Sequence, residues 1–569
     1  MIWASAGLLL ACSSCSKEST VGTDPEIPEG YGLLSMGISL NHTSFETRVE
    51  GGGNTNPGTP EENYVEMVRL VLYGYDDHKV KYAFDYKIRT RIDSDTGIPV
   101  TDPSRPDWVG FVDYGIDYSE DPSLYRSGSE THFVTYARKV EKQDYLMLLL
   151  INPTQSDEYP ERDLYNITAV GKSLADFETA VSYTPSDAYG PTSEQIRRKY
   201  LGGPAEDNYF LMNNHRGLIW VRAEDLHTSI NAANTNPVYV PVSRVVAKVQ
   251  VTNSHPTTPP AVYVSEFFWD LDVTNKKTYW TRKLTNLLTE NGAKGEMETY
   301  GPVPVINEKP SQSNPDEYKY SRIFLYAEDP NFSGLSNIGA PDPLGGLTGD
   351  ARLEKLKEMR WNEFGLLEYP GFNAWDERIT PSPDDFHNQL SGYGDPLYTY
   401  CLENTMDVDD QYSGVRTRVI LRCVYVPDGY NPEYGYYTYK NHLLSPFEMG
   451  AYVSGSIPLP TELQGLIEDA AALKAATGKD VLVLVQEEGF EGNNIRFYYQ
   501  GLNFYATDIL HGVTPGYGQY GVLRNNLYEI TFTSIIGPGS PVITNPEYGN
   551  LAVDIEIKKW YDRPHFTEL

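Results

Sequence analysis

Near the start of the chain Leu34, Met36, Ile38 and Leu40 alternate with Ser35, Gly37 and Ser39. Alternation at period two sends the two sets to opposite faces, so residues 31–40 are predicted to form a one-faced β-strand. The next stretch, NHTSFETRVEGGGNTNPGTPEEN, carries Gly51, Gly52 and Gly53 among Pro and Asn, a composition that holds no regular element. Strand patterns resume at residues 65–73. Residues 145–151, YLMLLLI, form an apolar run of strand length closed by Asn152 and Pro153, as expected of a strand buried on both faces. Short helices are predicted after Ser173, which caps LADFETAVSY with Leu174, Phe177 and Ala180 on one face, and after Thr192, which forms a capping box with Gln195.

Residues 231–241 are polar and turn-rich, and strand patterning then restarts with SRVVAKVQV, which places a domain boundary near residue 238. EFFWDLDV, SRIFLYAED, TRVILRCVYV, VLVLVQEE, NIRFYYQGLNFYA and NNLYEITFTSII follow in the same style. In the third of these Thr417, Val419, Leu421, Cys423 and Tyr425 share one face, and Arg416, Arg418 and Arg422 the other. Helices are expected over residues 350–364 and 461–477, the second stopped by Gly478. Strands far outnumber helices, and the fold class expected is all-β: two antiparallel β-sandwiches with short helical insertions. The last strand, residues 551–560, sets Leu551, Val553, Ile555 and Ile557 against Ala552, Asp554, Glu556 and Lys558. The chain thus begins and ends with a strand carrying four apolar side chains at period two, neither joined to its neighbour by a tight hairpin.

Composition narrows the function. Of 569 residues, 46 are Lys or Arg and 78 Asp or Glu, a formal charge of −32 that repels phosphate backbones and anionic headgroups, so neither nucleic acid nor a polybasic membrane contact is expected. The 44 Tyr, 48 Gly and 39 Pro fit short strands joined by many turns.

Catalytic chemistry finds no support in the motifs. Residues 516–521, GYGQYG, match GxGxxG, but a β pattern follows where a dinucleotide site needs a helix, so the match is a Gly/Tyr turn. Asp407, Asp409 and Asp410 resemble part of a calcium loop, yet the position that needs a bidentate Glu holds Arg418. The ten His show no metal spacing, and no GxSxG elbow or Walker loop occurs. No cofactor, metal or enzymatic activity is expected.

Residues 1–11, MIWASAGLLLA, are apolar but far short of the roughly 20 residues a bilayer span needs, and they run into Cys12. Leu9-Leu10-Ala11-Cys12 fits a bacterial lipobox, in which the cysteine thiol takes the lipid; Cys15 is a second candidate. The other two cysteines, Cys401 and Cys423, are either one disulfide of an exported protein or two buried thiols.

The leader followed by SCSKE, the strand GLLSMGISL leading to an arginine, SRVVAKVQV, WDLDVTNKKTYWTRK, YCLENT, LRNNLYEITFTSI and the closing VDIEIKKW together resemble the fimbrillins of the Bacteroidales, nearest the major-subunit family of the short fimbriae. The resemblance implies two transthyretin-like β-sandwiches, export as a lipoprotein, and cleavage after the first strand by an arginine-specific, trypsin-like protease. It further implies polymerisation in which a strand from the next subunit fills the groove so opened. Carried onto this chain, it gives a leader at 1–11, a propeptide at 12–48 with a removable strand bearing Leu34, Met36, Ile38 and Leu40, and domains at 49–237 and 238–569. The cut falls between Arg48 and Val49, and the donor is expected at Leu551, Val553, Ile555 and Ile557. The implied partners are other copies, accessory fimbrial subunits, the protease and surface ligands. The implied location is an outer-membrane precursor held only by its lipid, then extracellular fimbriae. A non-polymerising tip or anchor subunit, or a glycan-binding surface lipoprotein, is the alternative.

Overall fold

The strand Tyr145–Ile151 is buried at all seven positions, as its unbroken apolar run requires. The structure, a computed structural model, describes residues 27–39, 55–56, 67–88, 111–113, 132–135, 137–153, 163–179, 181–183, 210–215, 217–251, 256–275, 277–281, 284–286, 288–289, 292–293, 325–327, 329–332, 344–365, 388–389, 397–406, 408–482, 489–511, 519–543 and 548–560. Tyr145–Ile151 lies between Met67–Gly74 on one side and Met212–Asn214 with Ile219–Val221 on the other. The same sheet runs on through Val238–Arg244 and Met36–Ser39 to His132–Val134, with nine strands among the described residues. Its side chains enclose the first core, with Leu70, Leu72, Met147, Leu149, Phe177 and Met36 all within 1% exposure.

Strands from two further sheets face each other across a second core. One sheet contains Leu397–Leu402, Val246–Val251, Asn526–Ile535 and Leu551–Trp560; the other contains Val262–Asp272, Arg418–Pro427 and Leu502–Asp508. Ala247, Val249, Tyr528 and Ile530 meet Trp269, Val419, Leu421 and Tyr505 there, which makes this half a β-sandwich. The all-β class holds, with helices as short insertions. Cys401 and Cys423, one from each sheet, are both free thiols buried in this core, not a bridge.

Several elements depart from expectation, each because of packing. The helix after Ser173 keeps its reciprocal Ser173–Asp176 cap but ends at Thr179, because Val181–Tyr183 leaves to pair with Lys277–Tyr279. The helix expected over 461–477 is a 3-10 turn, Thr461–Leu463, then Leu466–Thr477; Gly465 at φ 95° separates them. A further helix, absent from the expected elements, runs over Pro446–Val453 behind the capping box of Ser445 and Glu448. These helices and a four-stranded sheet around Tyr436–Tyr439 and Ile495–Tyr498 enclose a third core, with Tyr437, Leu466, Leu473 and Phe497. This unit is inserted between Arg418–Pro427 and Leu502–Asp508, which pair with each other. The arginine face of residues 416–425 is also covered: Arg418 is 4% exposed and donates to Asp272, and Arg422 lies over the Phe268 ring. The helix expected after Thr192, the VLVLVQEE strand beyond Leu482 and the first three residues of the GYGQYG turn lie outside the described residues.

The chain passes from the first sheet to the second at Val245, between Val238–Arg244 and Val246–Val251. Val246, Tyr400, Leu402 and Leu527 of the second sheet pack into the first core, and Phe210 meets Tyr400 edge-on with ring centroids 4.8 Å apart. A buried ion pair closes the joint. Arg524, 1% exposed, pairs with Glu403 at 2.8 Å and donates to Thr278 Oγ1 at 2.9 Å and the Tyr279 carbonyl at 3.0 Å. Asn213 donates to the Trp280 carbonyl from the other side.

Replacing one partner of a buried, hydrogen-bonded pair strands the other charge, at about 3–5 kcal/mol. Arg524→Met is therefore expected to lower the unfolding free energy in urea by about that amount, and a loss under about 1 kcal/mol would show that the joint does not depend on the pair. Burial pushes the Cys401 thiol up to about 12 and the Cys423 thiol higher still, so both stay protonated and unreactive at pH 8. Alkylation followed by peptide mapping should find both unlabelled in the native protein and both labelled in denaturant without reductant; no labelling in denaturant would indicate a bridge.

Candidate functional site: the slot of the first strand

Tyr31–Leu34 and Met36–Ser39 are two short strands in line, broken at Ser35. Gly30, at φ 87°, turns the chain into the first of them. Tyr31–Leu34 pairs antiparallel with Arg138–Glu141 on one side, and Leu33 exchanges backbone hydrogen bonds of 2.8 and 2.9 Å with His227 on the other. Met36–Ser39 runs parallel to Val238–Arg244 and antiparallel to His132–Val134, so it too is flanked on both sides. The break at Ser35 is satisfied locally: its carbonyl accepts from Val238 N at 2.9 Å, and Met36 N donates to Thr135 Oγ1 at 3.0 Å.

The expected one-faced strand is in fact buried on both faces. Leu34 and Met36 enter the first core at 1% and 0% exposure, as their parity predicts. Leu33, on the opposite face, packs with Ala137 and Ala233, the latter from the helix Ile230–Thr235. Ser35 on that face is 1% exposed and its hydroxyl donates to Asn234 Oδ1 at 2.7 Å. Two glycines permit this closeness. A Cβ on Gly32 would stand 2.6 Å from Leu226 Cβ, and one on Gly37 would stand 2.5 Å from the Tyr239 ring. The signal for this burial lies in the two glycines themselves, since glycine inside a strand pattern is a sign of close approach.

The other terminal strand sits differently. Leu551–Trp560 pairs with Asn526–Ile535 along its whole length, and on its outer side, among the described residues, only Lys559 and Trp560 pair, with Thr55–Asn56. Leu551 is buried at 8%, whereas Val553, Ile555 and Ile557 are only partly buried against the second core, and Asp554 and Glu556 are exposed. Lys558 bonds Glu529 across the strand pair and lies 3.6 Å from Glu556, and the Glu529 bond raises its affinity for its proton.

Of the residues expected to matter, Leu34 and Met36 line the slot, Ile38 pairs there with Val240 and Phe133, and the four apolar residues of the last strand face the second core. Leu40, Arg48, Val49, Cys12 and Cys15 lie outside the described residues. No cluster of three or more His, Cys, Asp or Glu able to hold a metal occurs among the described residues. Asp410, from the calcium-like run, is instead paired with Arg352 at 2.6 Å.

Residues 496–565 match the family model of the C-terminal region of fimbrillin, the type IV major fimbrial subunit protein. No curated protein sequence matches the chain. Among solved structures, a protein from Parabacteroides distasonis ATCC 8503 with a suggested role in cell adhesion is 11% identical over 93% of this chain and 99% of that one, at TM-score 0.39. A fimbrilin from Porphyromonas gingivalis W83 is 12% identical over 93% and 98%, at TM-score 0.31. The C-terminally truncated tip fimbrial protein Mfa3 from the same species is 10% identical over 93% and 100%, at TM-score 0.30. At such scores the structural likenesses carry no weight of their own, and the resemblance to the Bacteroidales fimbrillins stands on the sequence, with the family match over the strands of residues 496–565 as its firmest part.

Proposed function

We propose that the protein is a structural subunit of surface fimbriae, made as a lipoprotein precursor on Cys12, cut after Arg48 and polymerised by strand exchange. The slot carries this reading: the first strand among the described residues is hydrogen-bonded on both sides and buried on both faces, and it precedes a Gly/Pro/Asn-rich connector that contains Arg48. Loss of the strand would leave Val238–Arg244 and His132–Val134 as two facing open edges, and would uncover Leu226, Asn234 and part of the first core. Unpaired strand edges recruit other strands. Burying Leu33, Leu34 and Met36 is worth about 1.5–3 kcal/mol each, so an empty slot is strongly disfavoured and an occupied one is a firm joint. While its own strand is in place, the precursor has no slot to offer.

In this scheme residues 1–11 are the leader, 12–48 the propeptide, and 49–237 and 238–569 the two domains. The partners are further copies of the chain and accessory fimbrial subunits, with an arginine-specific protease as the trigger. The lipid on Cys12 is the precursor's membrane attachment, and no helix among the described residues is long and apolar enough to cross a membrane. The role is structural and needs neither cofactor nor catalysis.

Arg48→Ala should leave the precursor's thermal unfolding unchanged while blocking conversion by an arginine-specific protease and the growth of fibres seen by electron microscopy. Normal fibres that retain residues 31–48 would refute processing as the trigger. Mass spectrometry of the membrane-bound precursor should place the lipid on Cys12, and a lipid on Cys15, or none, would refute the lipobox assignment.

A further inference from the structure

Beside the Arg524–Glu403 pair a knot of polar groups is sealed from water. Asn275, Asp329, Asn331 and the Glu403 residue are all within 3% exposure, and Val273, Phe332 and Met406, from the same segments, lie in an apolar cluster next to it. Asn275 Nδ2 donates to Asp329 Oδ2 at 2.5 Å and to the Glu403 carbonyl at 2.9 Å. Asn331 Nδ2 donates to Asn275 Oδ1 at 2.8 Å, and Asn331 N to Asp329 Oδ1 at 2.8 Å. The series ends on a fault, because Asn331 Oδ1 is buried with no hydrogen-bond partner. A buried oxygen without a donor costs free energy, and an ion is one of the few things that explain it.

An amide side chain fits one space in two settings, with its oxygen and nitrogen exchanged. Turning over both Asn275 and Asn331 gives Asn331 Oδ1 the donor it lacks, Asn275 Nδ2. The same turn brings Asn275 Oδ1 to the place 2.5 Å from Asp329 Oδ2 and 2.9 Å from the Glu403 carbonyl. Three oxygens then converge on one point, as they do around a hard cation. We propose that Asp329 Oδ2, Asn275 Oδ1 and the Glu403 carbonyl bind a calcium ion in this setting, supplying three of the six to eight oxygens that calcium takes. The sequence at Asp329 has the matching form. Residues 329–334, DPNFSG, follow D-x-N-x-S-G, the first half of a calcium loop, with Ser at the fifth place where Asp or Asn is usual. The twelfth place holds Ala340 instead of the bidentate Glu, and Ser333 and Gly334 lie outside the described residues, so the assignment stands on the oxygens that the fold brings in from Asn275 and Glu403.

The donor set selects the metal. It is all oxygen, which disfavours the metals that prefer imidazole or thiolate. Amide and peptide oxygens in a closed site suit calcium, which accepts irregular geometry, better than magnesium, which keeps several of its waters. With a single carboxylate the site belongs at the weak end of the calcium range, about 10⁻⁴–10⁻³ M. The ion acts as a staple within the second domain and is independent of polymerisation. Asn275 follows the strand Val262–Asp272 and Glu403 follows Leu397–Leu402, strands that belong to the two facing sheets. Through its side chain Glu403 carries the same tie on to Arg524.

The full chain, in sodium chloride at about 0.15 M to screen its acidic surface, should melt about 2 °C or more higher in about 5 mM calcium chloride than in EDTA. Magnesium chloride at the same concentration should give less than half that shift. Asp329→Asn keeps the side chain's size but removes its charge, and should lose the calcium shift. Asn331→Asp can only accept, so it holds Asn275 turned over with its oxygen toward Asp329, and it adds a second negative charge. That variant should melt lower than wild type in EDTA and gain a larger shift from calcium. Equal melting of the wild type in calcium and EDTA, an equal shift from magnesium, or a full calcium shift in Asp329→Asn would overturn the assignment. Should Asp329→Asn fail to fold, Asn331→Asp decides, because a destabilisation that calcium does not relieve would mark the knot as a hydrogen-bond network without a metal.

Discussion

A strand in the middle of a sheet must be matched on both edges and both faces at once. That constraint governs the first core of this protein, because the segment that meets it, Tyr31–Ser39, holds the first strands among the described residues. Buried polar groups must find partners: its backbone groups are matched by four separate stretches, around residues 133, 139, 227 and 239, and its Ser35 hydroxyl by Asn234. A ligand site tolerates vacancy because water fills it. A slot lined by Leu, Met and Ala side chains and by unpaired strand edges does not, and it is either occupied by a strand or open to the nearest one.

The two ends of the chain are therefore unequal in a useful sense. The first strand is central and the last is lateral.

Slot and last strand belong to one mechanically continuous unit. The outer face of the second sheet, through Tyr400, Leu402 and Leu527, completes the first core, and Arg524 ties Glu403 to the segment Thr278–Trp280 at the seam. Such a seam holds the first core and the second sheet in one arrangement. Buried ion pairs add little net stability against an apolar alternative, but an Arg with five directed donors admits one arrangement of the seam and penalises others.

The sequence by itself determined the all-β class, the fully buried Tyr145–Ile151, the long helix near residue 350 and the apolar faces of the first and last strands, because each is written in local periodicity. The family resemblance was legible too, carried by short phrases spread along the chain. Only the tertiary structure decided that the first strand is buried on its second face. Ser35 and Gly37 read as a solvent face until the helix Ile230–Thr235 and Tyr239, some 200 residues on, are seen to cover them. The arginine face of residues 416–422 is hidden for the same reason, with Arg418 compensated by the distant Asp272. The inserted unit around residues 436–498 is legible only in part: its helix at Leu466–Thr477 and its strand at Ile495–Tyr498 carry a pattern, whereas Tyr436–Tyr439, His442–Leu444 and Phe490–Gly492, three or four residues long, show too few alternations to register a period. Periodicity reports which faces of a strand differ; whether the polar face meets water or a matched polar partner depends on contacts that no local window of sequence contains.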